Sequence, residues 1–561
     1  MKYRFQWNFP ILFSTHKVDG KYPLYAGGNL LFRSMDEGGS WQAISPDLTT
    51  DDKSKQGLSG GPITKDNTAV EYYCTIFALS ESPLKQGVIW AGSDDGLIHV
   101  TQDNGKTWAN ITPKDIPKNI QINAIDASPF DAGTAYVAAT AYKSDNYQPY
   151  LYKTNNYGKT WKKIVNGIAN DAFTRVVRED PNRQGFLVAG TETGLYQSFN
   201  AGETWTSFQL NLPITPVTDV AFHKRDKDLI VATQGRSFYV MDNLEVIYNL
   251  ADAQKADAFM FKIEDAYRQA GGGGFPLPPT ATVGKNPPNG MTVNYYFKEK
   301  PTKDVTLEVL DANGKSVRTF KGNPQVEGKP PTPSNEPQIS MDAGFNQFVW
   351  NLRLANATTI PGMILWAGST AGPKVAPSNY TVKMSYDGKV IATETFNLKA
   401  DPRLATTQAD FQKQFDLGLK IRDKLSETHD ALNDIKDVRT QLEAISARLK
   451  SPDQKDLIDK AKEITTKMTA VEEELNQTKI KSSQDALNYP IKLNNKLAAL
   501  GSSIGGGDYA PTQQAFDVYA ELSGLIDKQL DILNKVKNED VAAFNKLYAE
   551  RSLPVITTKK K

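Results

Sequence analysis

Acid–base chemistry calls for two carboxyl groups facing each other across the bond to be broken, one giving a proton and the other attacking or activating water. The chain offers acids at turns: Asp94 and Asp95 stand just before Gly96, and Glu192 stands before Thr193-Gly194. Short acids beside glycine are first of all turn-formers, because their side chains accept nearby backbone N–H groups. Glu71 differs, closing a long segment (47–70) that carries Gly60 and Gly61, and long loops on rigid scaffolds tend to hold function. Glu71, Asp95 and Glu192 are therefore the catalytic candidates. Arg33, Arg175, Arg178 and Arg236 could grip an anionic group, yet their spacing marks no cluster. Arg236 is kept as a binding candidate. Acids that meet only in space cannot be paired from their order along the chain.

Other reactive types are sparse. His16, His99, His223 and His429 lack the spacing of metal ligands, so neither a metal nor a cofactor is expected. The run His223-Lys-Arg-Asp226-Lys-Asp228 reads as a solvated corner, and His429 as one of many groups on solvated helix faces. The single cysteine, Cys74, lies in Tyr72-Tyr73-Cys74-Thr75-Ile76-Phe77 and reads as a small apolar residue on a buried strand. Gly271 to Gly274 lack the strand-then-helix setting and the following Lys-Ser/Thr of a phosphate cradle, which leaves a linker. Trp350 reads as a core anchor. Trp366, in the Gly/Pro-rich PGMILWAGSTAGP, reads as an exposed aromatic suited to binding.

The elements that must position these residues announce themselves by repetition. Ser/Thr-x-Asp/Asn-x-Gly-x-Ser/Thr-Trp occurs four times, with Asp36, Gly38 and Trp41, then Asp103, Gly105 and Trp108, then Asn156, Gly158 and Trp161, and finally Asn200, Gly202 and Trp205. The Asp or Asn can accept backbone N–H bonds, the glycine permits a positive φ, and the tryptophan offers a large apolar face to lock a corner between sheets. Each copy is flanked by short strands, at the spacing of one four-stranded propeller blade with insertions. A fifth unit, VTDVAFHKRDKDLIVATQGRSFYVMDNL, keeps the strand rhythm without the phrase.

The phrase resembles the Asp-box, or bacterial neuraminidase repeat, of sialidases, xyloglucanases and sortilin-type propellers. In those families it fastens the blade rim, away from any reaction centre. The wider layout resembles the C-terminal half of bacterial sortilin-like, Asp-box proteins often labelled glycosyl hydrolases. That likeness is carried by ISPDLTTDD, SGGPITKDNTAVEYYCTIF, TQGRSFYVMDNL, GKNPPNGMTVNYYF, GFNQFVWNLR, PSNYTVKMSYDGK and ADPRL. The resemblance implies further blades and a secretion signal upstream. The reading here is therefore a partial propeller lacking its N-terminal half, without a signal peptide in this chain, from a parent architecture that is extracellular, periplasmic or on the cell surface.

The expected fold class is mainly β with C-terminal α, in five parts. Residues 1–250 form the partial propeller and 251–290 a connector with a Gly/Pro-rich linker. Residues 291–403, with some seven short strands, suit an immunoglobulin- or fibronectin type III-like β-sandwich. From 404 to 555 the apolar period changes to about 3.5 and predicts an antiparallel helical hairpin or bundle. Residues 556–561, ending Lys559-Lys560-Lys561, read as a disordered tail.

Lys plus Arg number 65 against 64 Asp plus Glu, a balance that argues against a nucleic-acid partner. No stretch reaches the ~20 apolar residues of a membrane span. Strong structural repetition without a reactive constellation leads to a secreted, non-catalytic scaffold that binds a protein, peptide or glycan. The alternative is a xyloglucanase-like or sialidase-like glycoside hydrolase whose site is completed by upstream blades.

Overall fold

The computed structural model describes residues 3–66, 70–269, 278, 280, 283–284, 286–322, 337–449, 451–551 and 553. Two compact units emerge, 1–247 and 248–561. Gly271 to Gly274 and the terminal lysines lie outside the described residues.

The first unit is a row of antiparallel meanders. Blade 1 comprises Ile11–Phe13, Leu24–Gly27, Leu31–Ser34 and Gln42–Ala43, and blade 2 comprises Ile76–Glu81, Ile89–Ser93, Ile98–Thr101 and Ala109–Asn110. Blade 3 runs Gln121–Ala127, Ala135–Ala141, Asn146–Thr154 and Lys162–Lys163, and blade 4 runs Thr174–Glu179, Leu187–Thr191, Leu195–Ser198 and Thr206–Ser207. Blade 5 has three strands, Val217–His223, Asp228–Thr233 and Phe238–Met241, because no boxed corner returns the chain for a fourth. The second strand of blades 1 to 4 is buried on both faces, so its sequence has no charged residue and is mainly apolar. Close approach explains the glycines there. A Cβ on Gly92 would sit 2.4 Å from Ile122 of the next blade.

The four boxes are built alike. In the first, Ser40 donates to Asp36 from both its N–H and its hydroxyl at 2.7 Å, and Gly38 N–H donates to Ser34 Oγ at 2.8 Å. Asp103 holds the same bonds in its corner, while Asn156 and Asn200 accept the Thr160 and Thr204 N–H but donate their amide N–H to the threonine hydroxyls. Each tryptophan then reaches the preceding blade: the indole N–H of Trp108, Trp161 and Trp205 donates to the carbonyls of Ile44, Ile111 and Ile164 at 3.0, 2.6 and 2.7 Å. Blade 1 has no described blade before it, and Trp41 is 45% exposed against 3% for Trp205.

In the second unit, helix α1 (Glu245–Ala253) begins just before the boundary and runs into it. Two sheets then enclose one core. Met291–Phe297 lies between Ala258–Met260 and Gly344–Trp350, while the second sheet runs Ala266–Arg268, Lys389–Ala400, Ser378–Tyr386, Val305–Leu310 and Ser316–Gly322. Two three-residue strands thus join the sheets from the stretch read as connector; they are too short to show a period. Trp350 is fully buried between the sheets.

The helical part holds α2 (Gln408–Ser446), α3 (Lys455–Leu475), α4 (Leu493–Ile504), α5 (Gln513–Lys535) and α6 (Ala542–Glu550). Thr407 opens α2 with a capping box closed by Asp410. A continuous apolar core runs through these helices, with Ile435, Ile464, Leu497 and Ile526 fully buried. His429 belongs to that core rather than to a solvated face. Its Nδ1 lies 2.6 Å from the Thr358 carbonyl, because segment 351–376 packs onto α2.

Candidate functional site

In each meander the boxed corner joins strands three and four. The turns between strands two and three, and the passages to the next blade, must therefore lie at the opposite end. That end collects Glu71, Asp94, Asp95, Glu192 and Arg236. It also carries a repeated irregularity. The first strands of blades 2 to 5 shift register at Ile76/Ala78, Ile122/Ala124, Thr174/Val176 and Val217/Asp219. The extra residues are Phe77, Asn123, Arg175 and Thr218, each more exposed than its neighbour on either side except Asp219, which is also exposed. A bulge re-aims one side chain and is common beside binding sites. Four in register place an aromatic ring, an amide, a guanidinium and a hydroxyl along one rim.

Blades 3 and 4 elaborate this rim. The turn Tyr142–Ser144 and the start of the following strand bring Tyr142 and Tyr147 to Phe173, with ring centroids 5.0 and 6.1 Å away. Arg175 lies over Phe173 and Tyr142, its guanidinium 5.1 and 5.6 Å from the rings, and is held by Glu192 at 2.6 Å. Tyr147 remains 50% exposed. The sequence reading had Arg175 and Glu192 apart; the structure makes them one ion pair, braced on an aromatic platform.

The other acids are occupied. Asp95 accepts the N–H and hydroxyl of Thr50 on one oxygen and the Ser93 hydroxyl on the other. Asp94 accepts the N–H and hydroxyl of Thr75. Glu71 accepts the indole N–H of Trp7 at 3.0 Å. Buried Arg4 ties Asp47 and Asp51 of the long loop to the Cys74 carbonyl, so that loop is pinned at its root. Cys74 is buried, but it sits in a left-handed turn (φ 64°) ahead of the strand, not on it. Arg236 lies exposed in the last turn of blade 5. In the second unit Trp366 is half-buried and not exposed, because Asn495 of α4 clamps its backbone N–H and carbonyl at 2.7 Å.

A charged trio was missed from sequence. Arg178 donates to Asp219 at 3.0 Å and stands 3.9 Å from Asp126, linking the first strands of blades 3, 4 and 5. A signal existed: Ser80, Asp126 and Arg178 each stand three residues before a proline. The first two accept a backbone N–H from the next blade, Ala127 to Ser80 and Glu179 to Asp126. His223, Asp226 and Asp228 bring ligand atoms within 4.8 Å of one another, although Arg225 grips Asp226 and Asn243 N–H donates to Asp228.

Burial pushes the Asp94 carboxyl up to about 6 against the pull of Thr75, and it pushes Asp126 up to about 6 against Arg178. The folded state therefore holds extra protons between the unfolded value of 3.8 and about 6, and this contribution to stability is lost as pH rises through that window. Asp94→Asn is expected to flatten the pH dependence of the first unit's urea midpoint between pH 4 and 6, removing about 1–3 kcal/mol of its span. An unchanged slope would refute the assignment.

Residues 149–263, which include Phe173, Arg175 and Glu192, match the family model of Sortilin-Vps10 (sortilin, neurotensin receptor 3). The blades are sortilin-like. Similar solved structures include an ancestral GH74 enzyme, 13% identical with TM-score 0.32, covering 57% of this chain and 39% of that one. The GH74 xyloglucanase from Xanthomonas campestris is 13% identical with TM-score 0.31, over 68% of this chain and 78% of its own. YCF48 from Cyanidioschyzon merolae is 17% identical with TM-score 0.23, over 30% and 52%. The chain thus spans about half or less of the first and last of these. No curated protein matches it. Among the described residues of this sortilin-like chain, no helix is long and apolar enough to cross a membrane.

Proposed function

We propose that the chain is a non-catalytic recognition scaffold, working outside the cytoplasm, whose bulged rim holds a protein, peptide or glycan segment. One observation carries the reading. The acids of the rim are engaged by hydroxyls, N–H groups or arginine, whereas the exposed ring of Tyr147 is braced by buried Phe173 with half-buried Tyr142 and Arg175, a rigid aromatic support with a cation beside it. Aromatic rings and arginine supply most binding energy at recognition surfaces, and they do so without reacting. A hydrolase would instead keep two carboxyl groups free toward the substrate.

The test uses the full chain against arrayed peptides, mucin glycans and soluble xyloglucan. The expected result is binding of some members without turnover, weakened tenfold or more by Tyr147→Ala, about 1.4 kcal/mol. Hydrolysis of any glycan that disappears in Glu71→Gln or Glu192→Gln would overturn the proposal in favour of a glycoside hydrolase.

A further inference from the structure

The second unit places like charges against each other where the chain had no need to. Arg353 and Lys374 form an isolated antiparallel bridge, which sets the two residues directly opposite. Like charges so placed repel. Gly372 allows the approach: a Cβ there would lie 2.4 Å from the Leu354 carbonyl and 2.5 Å from that of Ala355. The side chains of both cations donate to neutral carbonyls, Arg353 to Gly372 at 2.8 Å and Lys374 to Gln269 at 2.7 Å. Neither forms an ion pair among the described residues. Behind them lies Arg268, itself buried and bonded to Asp508 Oδ1 at 3.1 Å.

Arg353 and Lys374 line a cavity of about 240 Å³, together with the glycine run Gly505 to Gly507 after α4 and with Asn289 and Asn351. Asp508 faces it as well. Its side chain is 2% exposed, yet Oδ2 has no hydrogen-bond partner among the described residues. A buried carboxylate oxygen without a donor is costly and marks a place where a donor is wanted. Two cations without an ion pair therefore line the cavity, and the unpartnered Asp508 oxygen is buried in its wall. Burial, with Arg353 and Arg268 nearby, also draws the Lys374 ammonium below its ordinary range, while Asp508 opposes that pull.

We propose that this cavity binds a small hydroxylated carboxylate of the acidic-sugar class, its carboxylate between Arg353 and Lys374 and its hydroxyls toward Asn289 and Asn351. The anion relieves the repulsion of the bridge, with the Arg353 fork and the Lys374 ammonium as charge-assisted donors. The amides of Asn289 and Asn351 can meet the hydroxyls of a ring. The glycine run keeps one wall free of side chains. The site is independent of the propeller rim, so its success or failure leaves the rim proposal standing.

The probe is sodium D-glucuronate titrated calorimetrically into the full chain, with D-glucose and inorganic phosphate as comparisons. Glucuronate is expected to bind at least tenfold more tightly than either, and Lys374→Gln and Arg353→Gln each to weaken it at least tenfold while the thermal midpoint holds. On the unaltered chain, glucuronate should slow acetylation of Lys374 several-fold, read by mass spectrometry, which serves even if a variant misfolds. Glucose binding as well as glucuronate removes the anion requirement, and phosphate binding as tightly removes the role of the hydroxyl. Absence of binding at about 10 mM glucuronate, roughly the weakest useful affinity for a small ligand, or unprotected Lys374, overturns the site.

Discussion

Trp205→Ala is expected to lower the stability of the first unit by about 3–5 kcal/mol, whereas Trp41→Ala costs under about 1 kcal/mol. The two residues hold the same place in the same repeated phrase, so composition and local geometry cannot separate them. What differs is the neighbour. The Trp205 ring is 3% exposed and its N–H is bonded to Ile164 of the preceding blade. Removing it leaves a cavity and takes the donor from that carbonyl. Trp41 is 45% exposed and has no described blade to meet. The glycines report the same asymmetry: a Cβ on Gly202 would come 2.5 Å from Ile164, and on Gly38 nothing nearer than its own Trp41 at 3.7 Å. Because the chain has two units, a single global unfolding energy is not defined. The measurement is the urea transition of the first unit, followed through hydrogen exchange of amides in blades 3 and 4. Equal effects of the two substitutions would refute the tryptophan as an inter-blade fastener.

That contrast marks how far the sequence could be read. The four corners were legible because a turn repeats its chemistry locally: acid or amide, glycine and hydroxyl lie within five positions and bond to one another. The longer strands of the two sheets and the helices were legible for the same reason, since period two and period 3.5 are local signals, whereas Ala258–Met260 and Ala266–Arg268 were too short to show one. The rim was not. A bulge is a relation between two strands, and Phe77, Asn123, Arg175 and Thr218 share no residue type that alignment by chemistry would catch. Arg175 and Glu192 were each noticed, and only the register of their strands makes them a pair. Trp366 and His429 were misplaced because their surroundings come from α4 and from segment 351–376, which hydropathy near either residue does not reveal.

The same limit applies most severely to Arg268 and Asp508, 240 positions apart and almost wholly buried together. Arg268→Met is expected to destabilise the second unit by about 3–5 kcal/mol, since it strands a carboxylate that burial keeps from water. The guanidinium does more than neutralise. It also donates to the Val375 carbonyl and to Gln414 of α2, and it lies 4.8 Å over the Phe411 ring, so one side chain joins the sheets, α2 and the loop after α4. Two charges taken out of water gain little over a well-packed apolar pair. Combining Arg268→Met with Asp508→Leu should therefore recover at least half of the loss, a non-additivity that a double-mutant cycle on the second unit's urea transition reads directly. Additive losses would mean that the arginine acts through its other bonds and its ring contact, with the ion pair incidental. A cost under about 1 kcal/mol for the single change would mean that neither holds the seam.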